Sequence, residues 1–178
     1  MKNIEIEFRA KISKEKHDWL HKFLKNKAKD LGEDNKDTKF YILPDKLFKV
    51  VSEHSKKKAK IVLKNSRIGE GSDFDELEIQ ISPDEYEKAI KIFDNLDFPG
   101  KAMQAWQERH NYVYKGVEIA VKYSEYWEYH VEFEIVINDM AQKQDAEDKI
   151  KKVAEELDIK LMSDGEIKAF TQDVESKI

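Results

Sequence analysis

The stretch "IEIEFRAKI" at residues 4–12 alternates without a slip, with Ile4, Ile6, Phe8, Ala10 and Ile12 on one parity and Glu5, Glu7, Arg9 and Lys11 on the other. A period of two places these sets on opposite faces of a β-strand. The pattern recurs along the chain. Its charged parity carries Lys49 in "LFKVV", Lys60 and Lys64 in "KAKIVLK", Glu76 and Glu78 in "DELEIQI", and Arg109 in "AWQERHNYVY". It continues with Glu118 and Lys122 in "VEIAVKY" and Glu132 and Glu134 in "WEYHVEFEIVI". The opposite parity is apolar almost throughout, as in Phe48 and Val50, Leu77 and Ile79, or Val131 and Phe133, so that face must be covered.

"TKFYIL" supplies an eighth strand. Four segments have helical spacing instead. The first follows Ser13, with Leu20, Phe23, Leu24, Ala28 and Leu31 on one face; "GEDNKD" then turns the chain. Ser82, Pro83 and Glu85 form a capping signature for a helix carrying Tyr86, Ala89, Ile90 and Phe93, expected to end near Phe98. Ala146, Ile150, Val153, Ala154 and Leu157 mark a third, and Ile167, Phe170 and Val174 a closing one. No repeat or linker divides the chain, so one domain over residues 1–178 is expected.

Charged residues make up 39% of the 178, against 40% hydrophobic, more charge than an ordinary solvated surface suggests. A sheet with one face in water is the commonest source of such alternation. Here, however, the polar parity consists mostly of long ionisable side chains, and eight antiparallel strands suffice to close a barrel. The expected fold is therefore α+β: an eight-stranded antiparallel closed β-barrel, a tunnel with a charged interior, surrounded by about four helices. Charges in such a tunnel are costly unless they pair or a charged ligand completes them. A polyphosphate with a divalent cation does so, because bases neutralise phosphate oxygens while carboxylates hold the metal.

The net charge of -5, with bases spread along the chain, argues against double-stranded nucleic acid or an anionic membrane as partner. The absence of cysteine excludes thiolate metal sites and thiol nucleophiles. "MKNIEIEF" has no apolar leader and no run approaches membrane length, so a cytoplasmic location is expected.

Taken in order, these residues resemble the triphosphate tunnel metalloenzymes of the CYTH superfamily, which includes class IV adenylyl cyclases, thiamine triphosphatases and inorganic triphosphatases. The likeness covers nearly the whole chain. Glu5, Glu7 and Arg9 match the N-terminal ExExK signature with arginine for lysine. "DTKFYI" looks like the second strand, Lys49 and Lys64 like basic positions on the third and fourth, and Glu76 and Glu78 like the acidic fifth. Arg109 resembles the sixth-strand arginine, and Glu132 and Glu134 the final ExE. Three positions depart. Lys122 stands where an aspartate is common, Glu128, Tyr129 and His130 where Gly-x-Phe is common, and Lys49 is followed by Val51 where the third strand usually offers two arginines.

The resemblance implies a Mg2+- or Mn2+-dependent enzyme acting on a triphosphate such as ATP or tripolyphosphate. It implies Glu5, Glu7, Glu132 and Glu134 as metal ligands, supplemented by Glu76 or Glu78, with Arg9 completing the catalytic set. Arg9, Lys11, Lys49, Lys60, Lys64, Arg109 and Lys122 would hold the triphosphate. Length and the short form of the domain look most like the class IV cyclases. A triphosphatase is the alternative, and a non-catalytic binder of polyphosphate, nucleotide or RNA a third reading; a homodimer is compatible with each.

Other motifs have simpler readings. "HDWLH" at 17–21 lacks a third zinc ligand, so His17 and His21 are expected to flank the helix's apolar stripe. The aromatics of "YSEYWEYH" are expected to pack against a helix, and "KKKAK" at 56–60 to be a solvated loop except for Lys60. His130 is either a titrating group in the tunnel or a hydrogen-bonded structural histidine.

Overall fold

The computed structural model describes residues 4–65, 73–74, 76–98 and 100–177. The strands are β1 (Ile4–Lys11), β2 (Lys29–Glu33), β3 (Lys36–Ile42), β4 (Leu47–Glu53), β5 (Lys58–Lys64), β6 (Asp73–Phe74), β7 (Glu76–Ile81), β8 (Lys101–Tyr114), β9 (Val117–Ser124) and β10 (Glu128–Ile137). The helices are α1 (Lys14–Lys27), α2 (Tyr86–Asp94), α3 (Lys143–Glu156) and α4 (Asp164–Ser176). All strand pairing is antiparallel, in the order β6-β1-β10-β9-β8-β3-β4-β5-β7, with β2 also on β8. The eight expected strands and four expected helices are all present, and β2 and β6 are added to them.

The parity rule decides what lies inside. Outward-facing Ile6, Ile119, Val121, Val131 and Phe133 are buried under α1 and α3, which contribute Leu20, Leu24, Ile150 and Val153. A second apolar cluster joins Tyr41, Val50 and Ala59 to Tyr86, Ala89 and Ile90 of α2. The charged parity faces the concave side. One part of the apolar face stays bare, contrary to expectation: Leu77 and Ile79 of β7 are 60% and 66% exposed. β7 is the end strand of this wall, and α2 sits across β4 instead.

The expected closed barrel is corrected to a curled sheet that is not fully closed. Among the described residues, its seam is joined where the two residues of β6 pair with β1, Phe74 opposite Glu5, after which β7 pairs with β5, Glu76 opposite Lys64.

Element ends also differ from expectation. α1 stops at Lys27, so Ala28 and Leu31 are not helical, and Leu31 lies in β2. Gly32, at φ +89, allows the bulge that shifts the β2–β8 register. α2 ends at Asp94 rather than near Phe98, whose ring instead packs beside Phe48 and Tyr41. β8 begins at Lys101, four residues before the expected Ala105. The turn at Lys115 and Gly116 has both residues at positive φ, and a side chain at Gly116 would meet Lys149 Nζ at 2.6 Å.

Candidate active site

The concave face of the sheet encloses about 360 Å3. Its acidic part is built from two adjacent strands. In the β1–β10 ladder Glu7 lies opposite Glu134, and Glu5 follows on the same face of β1. Glu5, Glu7 and Glu134 each bring one carboxylate oxygen within 4.8 Å of the others. Burial, reinforced by Glu5 and Glu7, pushes the Glu134 carboxyl up to about 8. Among the described residues Glu134 forms no ion pair. Three converging carboxylates, one of them costly to ionise alone, are the donor set a hard divalent cation satisfies.

Glu132 has different surroundings, although it lies only two residues from Glu134. Its Oε1 accepts from Arg9 Nε at 3.0 Å and lies 2.7 Å from Lys122 Nζ, while Oε2 accepts from Arg109 Nη1 at 3.2 Å. Burial alone would raise this carboxyl, but Lys122, Arg9 and Arg109 hold it well below the usual range. Its oxygens are therefore engaged by bases, a different position from the metal-ligand role that the resemblance implied. Arg9 also reaches Glu7, 2.5 Å from Nη2. Burial works against the Arg9 charge, yet Glu7 and Glu132 raise its pKa. Lys122 is brought down to about 7, chiefly by burial, which outweighs the attraction of Glu132.

A second charged group lines the cavity around Asp34, which is 2% exposed. Lys36 lies 2.9 Å, Lys56 3.0 Å and Arg109 3.7 Å from its oxygens. Burial raises the Asp34 carboxyl, but these bases bring it below its ordinary value. Lys36 also reaches Glu53 at 3.5 Å. The sequence reading missed this group by taking Asp34 and Lys36 for a turn and Lys56 for a solvated loop residue. The available signal was parity, since Lys36 shares a face with Thr38 and Phe40, and Glu53 with Lys49 and Val51.

Among the other expected residues, Lys49, Lys60 and Lys64 line the cavity. Lys64 lies 3.8 Å from Glu5, and Lys60 2.5 Å from Glu78. Glu78 sits on the β7 edge beside Lys60, apart from the three-carboxylate cluster. Lys11 is held at the rim, 3.2 Å from Glu128 and over the Phe170 ring. The side chain of Glu76 lies outside the described residues.

Trp127 packs edge-on against Phe170 of α4, as expected for these aromatics, with the Arg9 guanidinium 5.4 Å from its centroid. His130 is the structural histidine of the two readings. It is 2% exposed, its Nδ1 lies 2.8 Å from the Glu128 carbonyl, and burial lowers its pKa to about 3. His21 lies 3.1 Å from Tyr112 Oη and beside His17, on α1 away from the cavity.

α4 lies across one end of the cavity. The Met162 N–H donates to the Arg9 carbonyl, Lys101 Nζ to the Glu175 carbonyl, and Thr171, Val174 and Glu175 join the lining.

A curled antiparallel sheet with helices outside and paired acids and bases inside defines a β-tunnel protein. The chain belongs to the CYTH domain family, whose family model matches residues 3–165. Solved structures share the fold. A conserved hypothetical protein from Pyrococcus furiosus is 27% identical, with 88% of this chain and 91% of that one covered at a TM-score of 0.69. PH1012 from Pyrococcus horikoshii OT3 is 23% identical over the same shares, also at 0.69. HpAC1 from Hippeastrum, described as an adenylyl cyclase candidate with a dominant triphosphatase activity, is 16% identical, with 89% of each chain covered at 0.63. No curated protein matches the chain. Among the described residues, no helix is long and apolar enough to cross a membrane.

Proposed function

We propose that this protein is a divalent-metal-dependent triphosphatase that binds its substrate within the tunnel and hydrolyses a terminal phosphate. The observation that carries this reading is the Glu5, Glu7 and Glu134 cluster beside a row of bases facing the same cavity. Glu5, Glu7 and Glu134 would hold Mg2+ or Mn2+, which when bound would supply charge neutralisation at the phosphate oxygens.

The chain's own residues do the remaining work by positioning and electrostatics, the main requirements of phosphoryl transfer. Arg9 and Arg109, fixed around Glu132 together with the Lys122 amine, present cationic groups without reorganisation. Lys49, Lys60 and Lys64 extend the basic row along β4 and β5. A water attacks the terminal phosphorus, the bond to the bridging oxygen breaks, and the shortened polyphosphate leaves. Glu118 lies opposite Glu134 in the β9–β10 ladder and lines the cavity, and in this reading it would take the water's proton.

Cyclisation of ATP, the activity favoured by chain length, requires the ribose and base to be held in register as well. Product identity separates the two reactions. Incubation with ATP and with tripolyphosphate, plus Mg2+ or Mn2+, is expected to release orthophosphate from one or both. Cyclic AMP with pyrophosphate would replace hydrolysis by cyclisation, and no product under any condition would leave a binding protein.

A further inference from the structure

The basic and acidic surface gives way to an apolar one at the end of the tunnel crossed by α4. Phe40 lies opposite Met103 in the β3–β8 ladder, and Ile42 opposite Leu47 in the β3–β4 ladder, so four apolar side chains form one inward patch. Val174 of α4 faces the same space. None of these five belongs to either apolar cluster that packs the helices onto the sheet.

We propose that this patch receives the hydrocarbon part of the substrate, making it an organic triphosphate with an apolar group rather than a nucleotide or tripolyphosphate. The inference rests on the triphosphate reading and adds the chemistry of the attached group.

Register supports it. Lys49 lies opposite Phe40, and Lys64 opposite Leu47, so basic and apolar side chains alternate between neighbouring strands about 4.8 Å apart. A phosphate held by Lys49 and Lys64 leaves its substituent over Phe40 and Leu47. Two polar groups at this end are engaged by the backbone: Thr171 Oγ1 donates to the Ile167 carbonyl at 2.8 Å, and Lys101 Nζ to the Glu175 carbonyl at 2.6 Å. An apolar patch gains affinity by burying methylenes, roughly fourfold for each one buried.

The test is equilibrium calorimetry, with Ca2+ as the divalent ion, using tripolyphosphate, n-octyl triphosphate and ATP. The octyl compound is expected to bind at least about tenfold more tightly than either of the others. Met103→Gln is expected to narrow the ratio between the octyl compound and tripolyphosphate, and Ile42→Thr provides the same comparison at a second position. Octyl triphosphate binding no tighter than tripolyphosphate, or ATP binding as tightly as the octyl compound, overturns this inference alone. Failure of all three to bind overturns the triphosphate reading and this inference with it.

Discussion

Arg9 bridges two carboxylates from different strands: its Nε donates to Glu132 on β10 at 3.0 Å, and its Nη2 lies 2.5 Å from Glu7 on β1. One guanidinium thereby ties the base-organising acid to a member of the acidic cluster. A lysine presents a single point of charge and cannot span both. Arg9→Lys is therefore expected to remain folded and to raise KM for the triphosphate roughly tenfold, with a smaller change in kcat. Arg9→Met leaves buried acids without their partner and is expected to cost about 3–5 kcal/mol in urea unfolding. Equal KM values for Arg9→Lys and wild type would contradict this bridging role.

Lys122 illustrates a buried amine kept at the expense of stability. Its pKa is near 7 in the folded chain, against an ordinary 10.5, so the unfolded chain binds more protons between these values and stability rises with pH across that window. Lys122→Met is expected to stabilise the fold at pH 7.5 by about 1–3 kcal/mol, with the advantage shrinking toward pH 10. Glu132 keeps Arg9 and Arg109 in this variant. Triphosphate binding should weaken even as stability rises. Urea titrations at the two pH values and a calorimetric Kd check both halves.

His130 makes the fold sensitive to acid. With its pKa lowered to about 3, the folded chain resists a proton that the unfolded chain accepts near 6.5, so stability falls as pH drops through this interval. At pH 5 this amounts to about 2 kcal/mol relative to neutral pH. His21, lowered to about 4 but half-buried, contributes in the same direction to a smaller extent. His130→Gln is expected to flatten the dependence between pH 7 and 5; an unchanged slope would show that other groups cause it.

The acidic cluster predicts proton-coupled metal binding. A Glu134 carboxyl near 8 holds its proton at neutral pH, and a divalent cation must displace it. Mn2+ affinity, read by electron paramagnetic resonance, is expected to rise from pH 6 to 8 and then level off. Glu134→Gln should weaken Mn2+ binding by about tenfold or more and remove the pH dependence. Binding to Glu134→Gln that matches wild type in strength and pH profile would place the ion elsewhere.

The features that repeat with period two were legible in the sequence. The inward positions of Glu5, Glu7, Arg9, Arg109, Lys122, Glu132 and Glu134 follow from alternation alone, and the helices follow from spacing and caps. What escaped depended on pairing over long sequence separations. Leu31 continues α1's apolar spacing yet lies in β2, at the register shift between Asp30 and Gly32, which both pair with β8. Asp34 looks like part of a polar turn until Lys36, Lys56 and Arg109, remote from one another in sequence, converge on it. The different surroundings of Glu132 and Glu134 were hidden for the same reason, because one parity describes both. Only the neighbouring strands show that Lys122 and Arg9 surround the first and Glu7 faces the second.

In the proposed function, the three-carboxylate cluster and the basic row together hydrolyse a triphosphate. The most direct measurement is orthophosphate release from tripolyphosphate and ATP by wild type and Glu134→Gln, with Mn2+ and with excess chelator. Release by wild type is expected to stop with chelator and to fall by about a hundredfold or more in Glu134→Gln. Release that is indifferent to metal and to Glu134→Gln would contradict it.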